Sequence, residues 1–261
     1  IHLLIPMLGL KLALCVGALV DMVIGLVLLR KCADSRPAML RFAGAGLVVA
    51  AALGLAITQV SFDPMRLASG VFRHGKAQLD PANQVVFYRD GKTASVSVIA
   101  SPEGRAAIAT NGKVDAGLTL VPGQQPASDE LTMILAAALP LSMHPAPEQI
   151  GIIGFGSGLT THTSLGDPRV QRVETVEIEE AMVHGAATFM PRVHRAYTDP
   201  RSQIVIDDAK AWFASRGRQY DIIISEPSNP WVSGVGALFS TEFYRFIPHQ
   251  LKPDGLFVQW V

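Results

Sequence analysis

The chain is poor in cysteine and has no surplus of charge. Cys15 lies in an apolar run and Cys32 in a polar loop, so neither a disulfide scaffold nor a cysteine-ligated metal is expected. The 22 basic and 22 acidic residues cancel, and a nucleic-acid partner, which calls for a basic surplus against phosphate, is not expected either. His144 and His162 have no partners at ligand spacing, so no metal is assigned.

What the chain has instead is apolar mass, unevenly placed. Hydrophobic residues make up 49% of the sequence. Residues 3–29, LLIPMLGLKLALCVGALVDMVIGLVLL, carry only Lys11 and Asp21 as charges, and residues 42–60 carry none. Each run exceeds or approaches the ~20 helical residues that cross a bilayer core, and both are apolar on every face. Two successive spans fit a helical hairpin better than a cleaved signal peptide, and Lys11 is expected to snorkel or to sit by a break near Pro6.

The loop at 30–41 holds Arg30, Lys31, Arg36 and Arg41 against Asp34, which by the positive-inside rule is cytoplasmic and sends the rest of the chain across. The basic Arg66, Arg73 and Lys76 after the second span argue the reverse. The first residue is Ile and the last a strand-like Val261, so the sequence reads as a piece of something longer.

After a polar linker at 61–84, the runs VVFYR, ASVSVIA and AAIAT alternate and are separated by Asp90-Gly91, Glu103-Gly104 and Asn111-Gly112. Such pairs supply tight hairpin turns, and a small antiparallel unit over 85–128 is expected, with 117–128 as loop. A helix over 129–143 follows, opened by Ser128 or Asp129. Beyond Pro147, apolar strands (QIGIIGFG, RVETVEIE, SQIVIDDA, YDIIISEP, GLFVQWV) alternate with helices at 158–166, 179–189, around 209–216 and around 240–250. That alternation predicts a parallel sheet covered on both faces.

Ligands of such sheets bind at carboxyl strand ends. Gly154-Phe155-Gly156-Ser157-Gly158 is a strand-to-helix turn where backbone comes close to a ligand. Glu177 closes the next strand roughly 20 residues on, where a carboxylate grips ribose hydroxyls; Glu179 and Glu180 read as first-turn helix acids. Asp207-Asp208 suits an adenine amino group or a helix N-cap equally. The loop Ser225-Glu226-Pro227-Ser228-Asn229-Pro230-Trp231 is dense in proline and polar groups, as functional loops are. Asp129 and Glu130 open a helix, and capping explains them most simply.

Taken in order, FYRDGKTASVSV, NGKVDA, the helix ending LPL-x-x-HP, IIGFGSG, VEIEE, DDA, DIIISEPSNPW, LFSTEFYR and LKPDG resemble the aminopropyltransferase (spermidine synthase) family, in its membrane-fused branch, over roughly 85–261. The resemblance implies an α/β fold: a Rossmann-like, methyltransferase-type parallel sheet preceded by a small antiparallel β unit and an N-terminal transmembrane helical hairpin. The chain divides accordingly into 1–60, 61–84, 85–128 and 129–261.

The resemblance also implies the chemistry. Glu177 would hold ribose and Asp208 adenine, with Gly154, Gly156, Ser157 and Gly158 around the donor. Glu226 would stand where the family has its catalytic Asp, as the base, and Asn229 where a second Asp holds the amine, with Asp129 and Trp231 toward the acceptor. The co-substrate would be decarboxylated S-adenosylmethionine or S-adenosylmethionine, the acceptor a small amine or a lipid, and the product methylthioadenosine. The family's glycine turn carries an Asp where this chain has Ser157, and its Tyr and His/Gln are replaced around Thr132-Met133. Those departures admit an intact donor, a lyase or cyclase that needs no acceptor, and a non-catalytic membrane-protein domain. Methyl transfer fits least. An integral protein of the inner or plasma membrane, catalytic part cytoplasmic, is expected, and a homo-oligomer is left open.

Overall fold

The computed structural model describes residues 3–31, 36–228 and 235–261. It opens with α1 (Leu4–Lys31) and α2 (Arg36–Gln59), both long and apolar enough to cross a membrane, and neither window is buried in protein. The first is broken at Gly9 (φ 75°, ψ 166°), three residues past Pro6, where glycine tolerates a conformation closed to other residues. Lys11 bridges the pair by donating to the Ile57 carbonyl at 2.6 Å, and the freed Leu10 N–H donates to Asp90 Oδ2 at 2.7 Å. The linker is partly helical, with α3 (Pro64–Leu67) capped by Asp63 and α4 (Val71–His74).

Four strands, β1 (Gln84–Asp90), β2 (Ser95–Ala100), β3 (Arg105–Thr110) and β4 (Lys113–Thr119), form an antiparallel sheet in that order. Asn111 (φ 49°) and Gly112 (φ 78°) close its last hairpin between the paired Thr110 and Lys113, as an Asn-Gly two-residue turn should. The fourth strand runs to Thr119, into the stretch expected as loop. Its pattern, six of seven positions buried or half-buried, departs from the apolar/polar alternation that marks a half-exposed strand.

The second layer holds α5 (Ser128–Met143), β5 (Gln149–Ile153), α6 (Leu159–Ser164), β6 (Arg172–Glu177), α7 (Glu180–Ala186), α8 (Met190–Thr198), β7 (Ser202–Ile206), α9 (Ala209–Arg216), β8 (Tyr220–Ser225), α10 (Thr241–Phe246) and β9 (Leu251–Gln259). The five strands pair in parallel in the order β7-β6-β5-β8-β9, the α/β architecture expected. Helix α8 was not among the expected helices: Pro191 falls in its first turn, where no intrahelical N–H bond is lost. Strand β9 begins at Leu251 rather than Gly255, its register shifting between Tyr220 and Ile222.

Both faces of the parallel sheet are covered. Ile150, Ile152, Ile222 and Ile224 pack on one side, and Ile153, Ile223, Phe213 and Tyr220 on the other. Glu174 is buried among these strands and is satisfied by Tyr220 Oη at 2.5 Å and by Arg172 and Arg218 at 2.8 Å each, as a buried carboxylate requires.

Candidate functional site

The chain leaves β5 in one direction for β6 and β7, and β8 and β9 lie on the other side. The crevice of such a sheet opens where the order reverses, between the carboxyl ends of β5 and β8. The two loops there are in backbone contact: Glu226 N donates to the Ile153 carbonyl at 2.9 Å. A Cβ on Gly154 (φ 91°) would lie 2.7 Å from the Glu226 carbonyl oxygen, so this turn needs glycine for both its angle and its closeness. Gly158 (φ 82°) is held likewise, a Cβ there lying 2.9 Å from the Phe155 ring.

Glu177 ends β6 beside that turn. Its Oε2 accepts from Phe155 N at 2.8 Å and its Oε1 from Glu179 N at 2.9 Å, so it fixes the glycine turn from below. Burial pushes its carboxyl above the usual range against those two N–H bonds, and the nearby Asp115 and Glu179 charges add to the rise. Glu179 caps α7 through Ala181 N at 3.0 Å, the first-turn role expected. It also accepts from Thr93 N, Thr93 Oγ1 and Ala94 N at 2.7, 2.8 and 3.2 Å, binding the β1–β2 turn to the parallel layer. Asp208 caps α9 through Ala211 N at 2.8 Å and is exposed. Ile178 and Ile206, next to Glu177 and Asp207, are 53% and 47% exposed, an apolar pair at the ends of β6 and β7 suited to a flat base.

A cleft of about 450 Å³ continues from the glycine turn, lined by Gly154, Phe155, Gly156, Asp129 and Met133, by Lys113 and Asp115 of β4, by Glu226 and Ser228 of the loop after β8, and by Arg73 and Trp260. Glu226 is half-buried. Burial pushes its carboxyl up to about 7 against an opposing hydrogen bond with the Thr160 side chain, from the first turn of α6. Asp129 stands on the cleft wall, whereas Glu130 does the capping, its Oε1 accepting from Ala127 N at 3.1 Å and Thr119 N at 2.6 Å.

Ser157 is fully buried, its hydroxyl donating to Met133 Sδ at 3.2 Å, and like Gly158, Glu177 and Asp208 it is absent from the cleft lining. Met133 of α5 stands there instead. Asn229 and Trp231 lie outside the described residues. Among the described residues no cluster of three or more His, Cys, Asp or Glu side chains is placed to hold a metal.

The sequence reading missed one constellation. Lys113 Nζ donates to Asp115 Oδ1 at 2.6 Å and to Ser228 Oγ at 2.9 Å, and Ser228 Oγ donates to the same Asp115 oxygen at 2.7 Å. Both charges lie in the NGKVDA motif, but their partner Ser228 is 115 positions from Lys113. Trp260, whose backbone N–H donates to the Ser225 carbonyl at 2.9 Å, also lines the cleft.

Residues 132–260, which contain the glycine turn, Glu177 and Glu226, match the spermine/spermidine synthase domain. That segment is similar to the spermine/spermidine synthase family. Relatives of the chain include a polyamine aminopropyltransferase of Desulforudis audaxviator, 34% identical over 46% of this chain and 43% of that one. Another, of Aeropyrum pernix, is 30% identical over 70% of this chain and 57% of its own length. The chain therefore spans about half the length of the curated relatives it matches. The spermidine synthase of Thermotoga maritima shares the fold, with a TM-score of 0.57 at 22% identity over 67% of this chain and 56% of that one. A spermidine synthase solved in complex with the transition state analogue AdoDATO superposes with a TM-score of 0.59 at 22% identity over 67% and 57%.

Proposed function

We propose that the protein is a membrane-anchored, spermidine synthase-like transferase. It takes a sulfonium nucleoside, decarboxylated S-adenosylmethionine or S-adenosylmethionine, moves its aminopropyl-type chain to an amine and releases methylthioadenosine. One observation carries this reading: Glu226, with its raised carboxyl, stands in backbone contact with the glycine turn at the reversal of strand order, in a chain whose relatives are named aminopropyltransferases.

In this reading Gly154, Gly156 and Gly158 admit the nucleoside, Glu177 and Asp208 flank ribose and adenine, and Ile178 and Ile206 cover the base. The sulfonium carbon is already electrophilic, so the protein has to align it with the nucleophile and take up one proton. The amine lone pair attacks the carbon bonded to sulfur. The C–S electron pair passes to sulfur, giving neutral methylthioadenosine, and the amine proton passes to Glu226. Asp129 and Trp260, which line the cleft, are assigned to the acceptor, as are Asn229 and Trp231 by family likeness.

A second reading has one observation in its favour. Asp115 Oδ1 is tied to Lys113 and Ser228, so one of the three carboxylates of the cleft lining already faces a cation of the chain's own and is partly spent against a polycation. A thin acceptor site suits a lyase or cyclase that attacks the donor with its own carboxylate. Helices α1 and α2, with the basic Arg66, Arg73 and Lys76 behind them, are read as an anchor holding the cleft at the cytoplasmic surface.

Incubation of the full chain with each donor, with and without putrescine, followed by mass spectrometry tests both. Methylthioadenosine formed only with amine is the expected result, and methylthioadenosine without amine selects the lyase. S-adenosylhomocysteine, or no affinity for any of these nucleosides, overturns the assignment.

A further inference from the structure

An aminopropyl donor and a polyamine carry only positive charge, and a cleft made for them alone offers carboxylates. This cleft holds a lysine. The Lys113 side chain is 7% exposed and that of Asp115 11%, and both line the same cavity as Glu226. Burying an ammonium is costly unless it is paired. Asp115 Oδ1 and Ser228 Oγ satisfy two of its three N–H donors. Asp115 Oδ2 is buried with no hydrogen-bond partner among the described residues, and an ionised oxygen left bare costs more than a neutral one. Arg73 adds a second cation to the lining. The wall thus presents an ammonium with one donor to spare beside a carboxylate with one bare oxygen.

We propose that the Lys113–Asp115 pair recognises an α-amino-acid head group, its carboxylate set against Lys113 and its ammonium against Asp115 Oδ2. This rests on the nucleoside reading above and names what that reading leaves open, the substrate's polar end. The same head is carried by an undecarboxylated donor or by an amino-acid acceptor. Carried by the donor, it makes the transferred group a 3-amino-3-carboxypropyl chain: the acceptor nitrogen's lone pair bonds to its terminal carbon, the C–S pair passes to sulfur and releases methylthioadenosine, the amine proton passes to Glu226, and the carboxylate stays on the product. Ser157, turned onto Met133, supplies no competing carboxylate for a donor's bare amine.

Titration calorimetry on the full chain in detergent tests it, with methylthioadenosine, decarboxylated S-adenosylmethionine and S-adenosylmethionine as probes. S-adenosylmethionine is expected to bind about ten- to a hundred-fold more tightly than its decarboxylated form, the range of one charge-assisted contact. Lys113→Met should erase that difference and leave methylthioadenosine binding unchanged. If the head belongs to the acceptor, both donors bind alike, and the protein loaded with methylthioadenosine prefers ornithine to putrescine, again only with Lys113 present.

No preference for a carboxylate in either arm overturns the proposal, as does a Lys113→Met protein that loses methylthioadenosine equally. Should that variant not fold, Asp115→Asn makes the same test on the ammonium side, with weakened S-adenosylmethionine and unchanged methylthioadenosine expected. Wild-type protein that is folded yet binds no methylthioadenosine fails at the nucleoside reading itself, and the inference falls with it.

Discussion

The two walls of the cleft are built differently. On the parallel-sheet side the carboxylates hold backbone groups: both oxygens of Glu177 accept N–H bonds, and Glu179 accepts three N–H bonds and one from the Thr93 hydroxyl. On the side formed by β4 and the loop after β8, Asp115 Oδ2 has no hydrogen-bond partner among the described residues, and Glu226 is raised by burial with a single opposing hydrogen bond to relieve it. A carboxylate saturated by N–H groups is scaffold, since its charge is already spent on fixing a turn. A carboxylate left short of partners is available to a ligand or a proton. The first wall is therefore the place to lose stability by mutation and the second the place to lose rate.

The largest effect is expected at Glu226. Glu226→Gln keeps the shape and removes the base, so turnover should fall about 10²–10⁴-fold with methylthioadenosine affinity unchanged. Full turnover in a folded Glu226→Gln protein removes Glu226 from the mechanism. The wild-type rate should climb about tenfold per pH unit on the acid side and level off above about 7, because only the ionised form accepts a proton. Stability should run the opposite way. The native state holds this proton at pH values where the unfolded chain has released it, so its contribution is full below the ordinary carboxyl range and is lost as pH rises toward about 7.

Gly154→Ala asks whether the two walls need their backbone contact. The left-handed angle costs about 1–2 kcal/mol for a residue with a Cβ, and displacing the Glu226 carbonyl adds about 1–3 kcal/mol of overpacking. The expected outcome is a lowered midpoint in urea together with loss of methylthioadenosine binding. A variant as stable as wild type would show that the approach of turn and loop is slack.

Much of this arrangement is legible in sequence, because local chemistry dictates it. Asn111-Gly112 demands a two-residue hairpin, the apolar strands between helices demand a covered parallel sheet, and the step of about 20 residues from the glycine turn to Glu177 follows from one β-α-β unit. What escaped depends on contacts distant in sequence. Lys113 and Ser228 meet across 115 positions, and the direction of the Ser157 hydroxyl is set by Met133, 24 positions earlier on α5. Glu179 reads correctly as a helix cap, yet nothing near it announces that Thr93 and Ala94 also lean on it. Helix α8 escaped for a local reason, a proline placed where a helix tolerates it.

Glu179→Ala tests the seam between the layers. It leaves Thr93 N, Ala94 N and Ala181 N without their acceptor in a site only 4% exposed, and stranding such groups costs about 1–3 kcal/mol. The antiparallel sheet should loosen first, read as faster amide hydrogen exchange over β1 and β2 than over β5 and β8. Uniform exchange across both layers would mean that the seam is held elsewhere.

Asp208 carries the smallest expected effect and separates two roles that sequence alone leaves equal. As the N-cap of α9, bonded to Ala211 N at 2.8 Å, its loss to alanine should cost ~1 kcal/mol. Serine caps a helix nearly as well as aspartate but brings a shorter, neutral side chain to the mouth of the site. If Asp208 is only a cap, Asp208→Ser restores both the stability and the methylthioadenosine affinity of wild type. If it also receives the adenine amino group, serine restores stability and leaves affinity reduced, because the cap needs only an oxygen near Ala211 N while the base needs the carboxylate's reach.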